Sequence, residues 1–441
     1  MQQREETSLI SSNKTGTFGP VKTTETKRKI LMSIVVSIPL LMSFQSISPD
    51  YKNRLLSLQT ELLEGQEFAM RGINGKGVKI AIIDAGFTGT DTHPGLAHLF
   101  QGHQILETWD FIGKNEQVYH GNSHGTSVLS CISGVYNNMP VGLAPEAGFL
   151  LARTEMNGEP LQEEKNWAAA VRWAVDHGAD IIQSSIGYSY HRYFQEELDG
   201  KTSIAARAAS EAARKGVLVI NSVGNEGSTH WKTMGTPADA DSIISVGAID
   251  PYTALVASFS SLGPTADGRL KPNVCASGTV LAFTSDGRAR TMTGTSFAAP
   301  LITGFAACLM QLLPNASNME ILQLIEKSGH LYPYFDYSHG YGVPRASYFF
   351  KKVKSDIGYS PEISRLGESF RVEPHVNPAY PETSPWKSCL YYQIMDSTKR
   401  IKFYGVASAN LYTYTYLPAK DLRDGDILRI WLNGKTTEWK E

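Results

Sequence analysis

Five short apolar runs, alternating with helical stretches, constrain the fold of this 441-residue chain more than any other feature. Each run is nearly continuous in apolar residues, as in strands that are buried on both faces of a parallel sheet. The runs span residues 78–84, 148–152, 180–186, 217–223 and 242–246. Helical stretches at 123–134, 163–177 and 202–215 lie between them. Because such alternation produces right-handed β-α-β units, we expect an α/β fold, a doubly wound and mostly parallel sheet flanked by helices.

Polar side chains occur where three of these predicted strands end. Asp84 closes the first strand, Ser184 and Ser185 close the third, and Asn225 follows the fourth. His124 opens the helix that follows the first strand. Taken singly, each residue has a structural explanation, such as a helix cap or a turn asparagine. Because functional groups of such sheets gather at the carboxyl ends of the strands, their combination predicts one shared site.

An unusually apolar segment, residues 296–313, begins with a serine. Its apolar residues fall on nearly every face, which is typical of a helix that is buried all round. We place Pro300 in the first turn of this helix, where the missing N–H costs little. Ser296 would then lie at the helix N-terminus, where free N–H groups and the helix dipole favour a developing negative charge. In isolation, the same serine would be interpreted only as an N-cap.

Ser296, His124 and Asp84 are the three groups that activate a serine nucleophile. A serine hydroxyl needs a base to take its proton, and a buried carboxylate holds the imidazole in the useful tautomer. Asn225 and the backbone N–H of Ser296 can both donate to an oxyanion. The chain order Asp, His, Ser differs from that of α/β-hydrolases, and no Gly-x-Ser-x-Gly motif surrounds the serine.

The blocks that contain these residues resemble the signature blocks of subtilisin-like serine peptidases. They have the family's order and spacing, and the resemblance extends over about residues 77–347. The blocks span residues 83–86, 122–126, 224–227 and 294–300. The resemblance implies an endopeptidase that hydrolyses peptide bonds through an acyl-enzyme, with peptides and proteins as partners.

The resemblance also implies a role for individual residues. Asp84, His124 and Ser296 match the catalytic triad, and Asn225 with the N–H of Ser296 matches the oxyanion donors. The family binds its substrate as an added strand beside the nucleophile, with a glycine in the wall of the primary pocket. The matching substrate-binding residues are Ser184, Ser185, Ile186, Gly187 and Gly235.

The family's calcium site is altered in this sequence. Gly95 replaces the aspartate that follows the His-Pro pair in many members, and the loop at 135–140 is short and offers only neutral asparagines. Charged oxygen ligands set most of the affinity for calcium. We therefore expect no cofactor and no high-affinity calcium site.

Two alternative functions compete with the peptidase. The first is a catalytically weak or inactive protein of this fold that binds peptides or surfaces, although every catalytic residue is present. The second is a metal site built from histidines, although no His-Glu-x-x-His motif occurs. Its candidate ligands are His93, His98, His103, His120 and His124.

An acidic segment borders the predicted substrate cleft. It can favour basic substrate side chains, or it can be the solvated acidic start of a helix, which we expect here. Its residues are Glu155, Glu159, Glu163 and Glu164.

The ends of the chain differ from its centre. Residues 30–44 are apolar and follow a basic cluster, which predicts a signal peptide or a membrane anchor and an exported protein, secreted, periplasmic or held at the cell surface. Only about thirty residues separate this segment from the catalytic part, too few for the family's usual inhibitory prodomain. The predicted domains are the leader 1–45, a helical pre-segment 46–76, the catalytic domain 77–355 and a β-rich module 360–441.

The C-terminal module is predicted from aromatic and β-branched runs. It serves either as a binding surface or as a structural cap on the catalytic domain. The runs span residues 389–394, 401–405, 411–416 and 427–432.

Charge and cysteines limit the partners. The net charge of −2 does not indicate a protein that binds nucleic acid. The oligomeric state stays open. The four cysteines form no Cys-x-x-Cys pair, and a disulfide between Cys131 and Cys308 is left open.

Overall fold

The structure, a computed structural model, describes residues 49–156, 158, 160–350, 360–374, 386, 388–409, 413–419 and 422–440. The apolar segment 30–44, on which the prediction of export depends, lies outside these residues.

Eight α-helices occur within the described residues. They are α1 (Pro49–Glu61), α2 (Gln66–Ala69), α3 (Ala97–Gln101), α4 (His124–Ser133), α5 (Leu161–Asp176), α6 (Ile204–Arg214), α7 (Thr295–Leu312) and α8 (Asn318–Ser328).

Eighteen strands accompany them within the same described residues. Those before residue 300 are β1 (Lys79–Asp84), β2 (Ile105–Asp110), β3 (Val135–Tyr136), β4 (Met139–Pro140), β5 (Gly148–Arg153), β6 (Ile181–Ser184), β7 (Leu218–Ser222), β8 (Ile244–Ile249), β9 (Val274–Ser277), β10 (Thr279–Phe283) and β11 (Ala289–Thr293). Those after it are β12 (Glu362–Leu366), β13 (Ser369–Glu373), β14 (Cys389–Met395), β15 (Ile401–Ser408), β16 (Thr415–Pro418), β17 (Ile427–Leu432) and β18 (Lys435–Lys440).

The largest sheet has seven parallel strands in the order β2-β5-β1-β6-β7-β8-β9. Because side chains alternate across a strand, β1 contributes to two layers. Ile80 and Ile82 pack in the core that contains α4 and α7, whereas Ala81 and Ile83 pack in the core that contains α5 and α6. The predicted α/β fold, with a parallel sheet between helices, is confirmed.

The order of the strands creates the crevice in which polar residues meet. The chain leaves β1 toward β5 and β2 on one side, and later adds β6 to β9 on the other. Ile83 in β1 lies opposite Ser184 in β6, so that the carboxyl ends of these strands are adjacent. Such a reversal of strand order is where open α/β sheets place their ligands.

Two strands of this sheet, β2 and β9, have no counterpart among the predicted runs, and they are the two edge strands. The edge strand β2 has a mixed burial pattern, with Leu106 and Glu107 exposed, because it has a sheet neighbour on one side only. An edge strand therefore lacks the continuous apolar run by which central strands are recognised.

The helices α1 and α2 pack into the core that contains α4 and α7. Leu56 and Leu63 are buried there. The fully buried Gln59 donates from Nε2 to the carbonyl of Val141 at 2.7 Å and accepts from the N–H of Leu281 at 2.8 Å. The segment that precedes β1 is thus an integral part of the α/β unit.

One helix within the described residues, α7, is long and apolar enough to cross a membrane by length and composition. In this protein 78% of that helix is buried in the core. All four cysteines are free thiols, so that Cys131 and Cys308 are not paired.

The C-terminal strands form two antiparallel sheets, β12-β13-β16 and β15-β14-β17-β18. Phe370, Leu390 and Ile430 belong to a buried core of their own. The predicted runs at 389–394 and 427–432 correspond to β14 and β17, whereas residues 411 and 412 of the run at 411–416 lie outside the described residues.

Aromatic side chains dock these sheets on the α/β unit. The Trp386 ring stacks on the His330 ring with their centroids 3.9 Å apart. The Tyr334 hydroxyl donates to the carbonyl of Tyr392 at 3.1 Å. Trp431 is buried in the same core as α7. These aromatic contacts fit the interpretation of the C-terminal module as a structural cap on the catalytic domain.

Candidate active site

Asp84 and His124 meet at the carboxyl end of β1. Asp84 is the last residue of β1 and is fully buried, and His124 is the first residue of α4, with its side chain 30% exposed. Nδ1 of His124 lies 2.8 Å from Oδ1 of Asp84. The N–H of Ala85 donates to the same oxygen at 2.8 Å. A carboxylate that is held in this way can orient the imidazole and stabilise its protonated form.

Two glycines allow the start of α4 to approach β1 so closely. Gly86 has a φ of +143°, and a Cβ there would lie 2.5 Å from the carbonyl oxygen of His120. A Cβ at Gly125 would lie 2.6 Å from the carbonyl oxygen of Gly86 and 2.7 Å from the Phe87 ring. A larger residue at either position would displace the neighbouring backbone or the Phe87 ring. These glycines therefore help to determine the contact between Asp84 and His124.

Ser296 is the second residue of α7, which follows a glycine with a φ of +148°. The expectation that Pro300 lies in the first turn is wrong, since it is the sixth residue of the helix. An ordinary residue there would donate its N–H to the carbonyl of Ser296, four residues earlier. The hydroxyl of Ser185 donates to this carbonyl instead, at 2.8 Å. The end of β6 is thereby fixed to the residue that carries the candidate nucleophile.

The Ser296 side chain lies next to the residue that follows β6. Its hydroxyl is 3.4 Å from the carbonyl oxygen of Ser185. The next residue, Phe297, has its ring centroid 5.7 Å from that of His124, so that the starts of α4 and α7 are adjacent. To pass its proton to Nε2 of His124, the hydroxyl must exchange its contact with Ser185 for one with the imidazole. Hydrogen bonds of this kind often tighten only in the substrate complex.

Asn225 is attached to the N-terminus of α7. Its Oδ1 accepts from the N–H of Thr295 at 2.9 Å and from the Thr295 hydroxyl at 3.1 Å. The NH₂ group remains as the donor of this side chain, and Asn225 is a wall residue of the cavity beside Ser296. The N–H of Ser296, at the second helical position, has no acceptor within the helix. Both groups can therefore donate to an oxygen atom in front of the helix.

The electrostatics of the site act on the imidazole of His124. Burial lowers its pKa, but the charge of Asp84, the hydrogen bond to Asp84 and the charge of Glu155 together raise that pKa above its ordinary value. A base whose pKa lies near neutral pH suits proton transfer.

A cavity of about 230 Å³ opens beside Ser296. It is lined by four of the predicted substrate-binding residues, Ser185, Ile186, Gly187 and Gly235. A Cβ at Gly235 would lie 2.9 Å from the carbonyl oxygen of Tyr188, so that glycine allows these two parts of the wall to lie close together.

The fifth predicted residue, Ser184, has a different position. It is fully buried, and its hydroxyl accepts from the Trp167 indole N–H at 3.0 Å. It does not line the cavity, and it links β6 to α5 beneath it.

The expectation of a solvated acidic helix start is wrong for Glu163 and Glu164, which are 2% and 0% exposed. Glu164 accepts from the N–H of Ala205 at 2.9 Å and pairs with Arg192 at 3.3 Å. Glu163 lines the cavity beside Ser296, together with Glu155. The burial of these carboxylates depends on how α5 packs against the sheet. In the sequence, the same charges are typical of an exposed helix start.

The five candidate histidine ligands do not come together. Among the described residues, no group of three or more His, Cys, Asp or Glu side chains could hold a metal ion. His124 pairs with Asp84, the His93 ring stacks on Phe283, and His120 lies 3.4 Å from Asp110. The histidine metal site is therefore contradicted.

Sequence comparison relates the chain to known peptidases. The profile of the subtilase family matches residues 75–342. The chain is 29% identical over 328 residues to serine protease AprX of Bacillus subtilis (strain 168), an alignment that covers 65% of this chain and 70% of AprX. It is 34% identical over 257 residues to the thermophilic serine proteinase of Bacillus sp. (strain AK1), covering 57% of this chain and 56% of the relative.

Solved structures agree on the fold. The MycP3 protease from the type VII (ESX-3) secretion system superposes with a TM-score of 0.52 at 21% identity, covering 66% of this chain and 86% of MycP3. MycP1 without its N-terminal propeptide superposes with a TM-score of 0.52 at 22% identity, covering 65% of this chain and 95% of MycP1. With the family match over more than half of its length, this chain belongs to the subtilase family and is a serine-type endopeptidase.

Proposed function

We propose that Asp84, His124 and Ser296 form the catalytic triad of this endopeptidase. The observation that carries the proposal is the 2.8 Å contact between Asp84 and His124 next to the N-terminus of α7, which bears Ser296. Asp84 and His124 lie at the carboxyl end of β1, and the ring of Phe297, next to Ser296, lies 5.7 Å from that of His124, which supports a shared site. The three residue types match the requirements of serine activation.

In the proposed acylation step, Oγ of Ser296 attacks the carbonyl carbon of the scissile peptide bond while Nε2 of His124 takes the hydroxyl proton. Asp84 stabilises the imidazolium that results. The oxyanion accepts hydrogen bonds from the N–H of Ser296 and from Nδ2 of Asn225, and the dipole of α7 favours its charge. His124 then returns the proton to the leaving nitrogen, the C–N bond breaks, and an ester to Ser296 remains.

In the proposed deacylation step, water attacks the ester and gives its proton to His124. The second tetrahedral intermediate uses the same oxyanion donors. Its collapse releases the carboxylic acid, and the proton returns from His124 to Ser296, so that the enzyme is regenerated.

The substrate would bind as an extended strand along residues 184–187. The cavity that Ser185, Ile186, Gly187 and Gly235 line supports this role, because one side chain of the peptide can enter it. Ser184 would contribute through its backbone, since its side chain is buried.

The variant Ser296→Ala tests the proposal. It should lose peptide hydrolysis and labelling by a serine-directed phosphonate while it keeps the far-UV circular dichroism of the parent. Ser285→Ala, which changes an exposed serine in the β10–β11 turn, should keep both activities. Phosphonate labelling that persists in Ser296→Ala would place the nucleophile elsewhere.

We also propose that the protein acts outside the cytoplasm, since the apolar segment 30–44 follows a basic cluster. Its partners would be protein and peptide substrates, with a possible membrane tether through this segment. N-terminal sequencing of the protein from the culture medium and from membranes separates release from anchoring. Recovery from the cytoplasm with residues 30–44 in place would contradict export.

A further inference from the structure

The C-terminal sheets dock on the α/β unit around a buried histidine. His330 lies just after the end of α8 and is 2% exposed. The Trp386 ring stacks on its ring, with the centroids 3.9 Å apart and an angle of 12° between the planes. The rings of Tyr391 and Trp431 approach edge-on, with their centroids at 6.1 Å and 5.7 Å. His330 therefore forms part of the docking interface, and these three aromatic side chains are uncharged at neutral pH.

The hydrogen bonds of His330 fit only the neutral imidazole. Its Nδ1 accepts from the N–H of Val343 at 2.9 Å, so that the single proton of the ring is on Nε2. Nε2 is buried and has no hydrogen-bond partner among the described residues. A second proton on Nδ1 would face the N–H of Val343, donor against donor. Protonation therefore breaks this bond and leaves a buried cation.

The groups around His330 do not compensate such a cation. Among the described residues, no carboxylate bonds to its ring. Burial is the main cause of its low pKa, and the nearby Arg345 and His339 lower that pKa further. Asp336 is taken by His339, whose Nδ1 lies 3.1 Å from both carboxylate oxygens, while Nε2 of His339 accepts from the N–H of Val256 at 3.0 Å. A proton on His339 would be balanced by Asp336, whereas a proton on His330 would not.

The stack on Trp386 offsets only part of this cost. A cationic ring gains attraction from the face of an indole. However, the ring would lose the hydration of an imidazolium and would gain no acceptor in return. The docked state therefore requires a neutral His330.

We propose that acidification releases the C-terminal sheets from the α/β unit through protonation of His330. Once the Trp386 stack opens, the ring regains water, and release is coupled to the uptake of one proton. Because the pKa of His330 is lowered from 6.5 in the docked state, docking is unaffected above pH 6.5 and weakens as the pH falls below it. Tyr391 and Trp431 belong to the core that contains α7, so release would also uncover part of that core. The inference is independent of the proposed catalytic roles.

Hydrogen exchange at Val343 tests the first step. Its N–H donates to His330 and exchanges when this bond opens. Mass spectrometry on the full chain from about pH 8 to about pH 5 would give the protection of this amide, corrected for the intrinsic exchange rate at each pH. We expect constant protection above pH 6.5 and a loss of up to about tenfold per pH unit below it. The amides of β1 should keep their protection, because release does not require global unfolding.

The thiol of Cys389 reports on the release itself. It lies at the start of β14 and packs against the core that contains α7, whereas Cys131, Cys275 and Cys308 are fully buried. A dithiodipyridine reagent, which reacts also at acid pH, should label Cys389 faster below pH 6.5, relative to the unfolded chain, and should spare the other three. Unchanged labelling of Cys389 while Val343 loses protection would mean a local opening and would overturn the proposed release.

Variants assign the effect to His330. His330→Asn keeps an acceptor for the N–H of Val343 but takes no proton in this range, so that both profiles should become flat. His330→Gln, with a longer amide side chain, gives the same test if the asparagine variant does not fold. His103→Asn removes an exposed histidine whose φ of 52° suits asparagine, and it should keep the parent profiles. Flat profiles in the parent protein, or an acid-dependent loss that persists in a folded His330 variant, would contradict the proposal.

Discussion

Ser185 and Pro300 act together on the candidate nucleophile. Pro300 cannot donate to the carbonyl of Ser296, and the Ser185 hydroxyl fills this place at 2.8 Å. The Gln183 side chain in turn donates to the Ser185 hydroxyl at 2.8 Å. A proline inside a helix thereby connects the nucleophile to the strand along which the substrate would bind, since the helix alone cannot satisfy that carbonyl.

The pH dependence of activity follows from the imidazole of His124. Its pKa is raised above the ordinary value, and only the neutral ring can accept the Ser296 proton. We expect kcat/KM for a peptide without titrating groups to rise with pH, with a midpoint above 6.5, and then to level off. In Glu155→Gln the midpoint should move to lower pH, because one negative charge that favours the imidazolium is lost. A midpoint at or below 6.5 in the parent enzyme would contradict this electrostatic account.

At the residue level, sequence motifs identify the polar groups of the site, but they do not predict how deeply each group is buried or what it contacts. Asp84, His124 and Asn225 could be selected from the sequence because Asp84 ends β1, Asn225 follows β7 and His124 opens α4, all at the same sheet edge. The burial of Glu163 could not be, because it depends on how α5 packs against β6. The hydrogen bond from Ser185 to Ser296 also joins residues 111 positions apart.

The helix α1 stabilises the catalytic unit through one side chain. Gln59→Ala would leave the buried N–H of Leu281 and the carbonyl of Val141 without their partner. An unsatisfied buried group costs about 1–3 kcal/mol, so we expect the free energy of unfolding to fall by at least that amount. Chemical denaturation measures it, with the exposed Asn53→Ala as control. A loss below about 0.5 kcal/mol would mean that α1 is only loosely attached.

The hairpin β3–β4 lies at 135–140, where the resemblance to subtilases implies the family's calcium-binding loop. Its turn residues Asn137 and Asn138 have φ values of 50° and 61°, as in a tight two-residue turn. A Cβ at Gly95 would lie 2.3 Å from the Phe283 ring, so a carboxylate side chain has no room there. These contacts support our proposal that the enzyme has no high-affinity calcium site at this place.

Chelation tests this proposal. Because a ligand stabilises only the state that it binds, a chelator should leave Tm unchanged within the error of differential scanning calorimetry. The same scan with added calcium is the control. A large decrease of Tm with chelator that calcium reverses would show a tight site.

At the scale of the whole molecule, the central strands of the sheet could be predicted from the sequence, whereas its edge strands could not. The runs at 78–84 and 180–186 correspond to β1 and β6 because central strands are apolar on both faces. The edge strand β2 lacks such a run, and no strand was predicted at β9 or at the hairpin β10–β11, so the places of these elements depend on tertiary packing. The docking of the C-terminal sheets was equally beyond the sequence, since the stack of Trp386 on His330 joins residues 56 positions apart (386 − 330).

The C-terminal sheets and the pre-segment both enlarge the core of the catalytic unit. Trp431 and Tyr391 share the core of α7, as do Leu56 and Leu63 from the N-terminal side. The core that contains α7 therefore includes residues from both sides of the region 75–342 that matches the subtilase family.

The central claim is that Ser296 forms the acyl-enzyme, and rapid-mixing kinetics with an activated ester test it most directly. We predict a burst of leaving group that approaches one equivalent per active chain, followed by slower turnover. Acid quenching during the burst and peptide mapping should place the acyl group on Ser296. An acyl group on another residue, or turnover without any acyl-enzyme, would contradict the account.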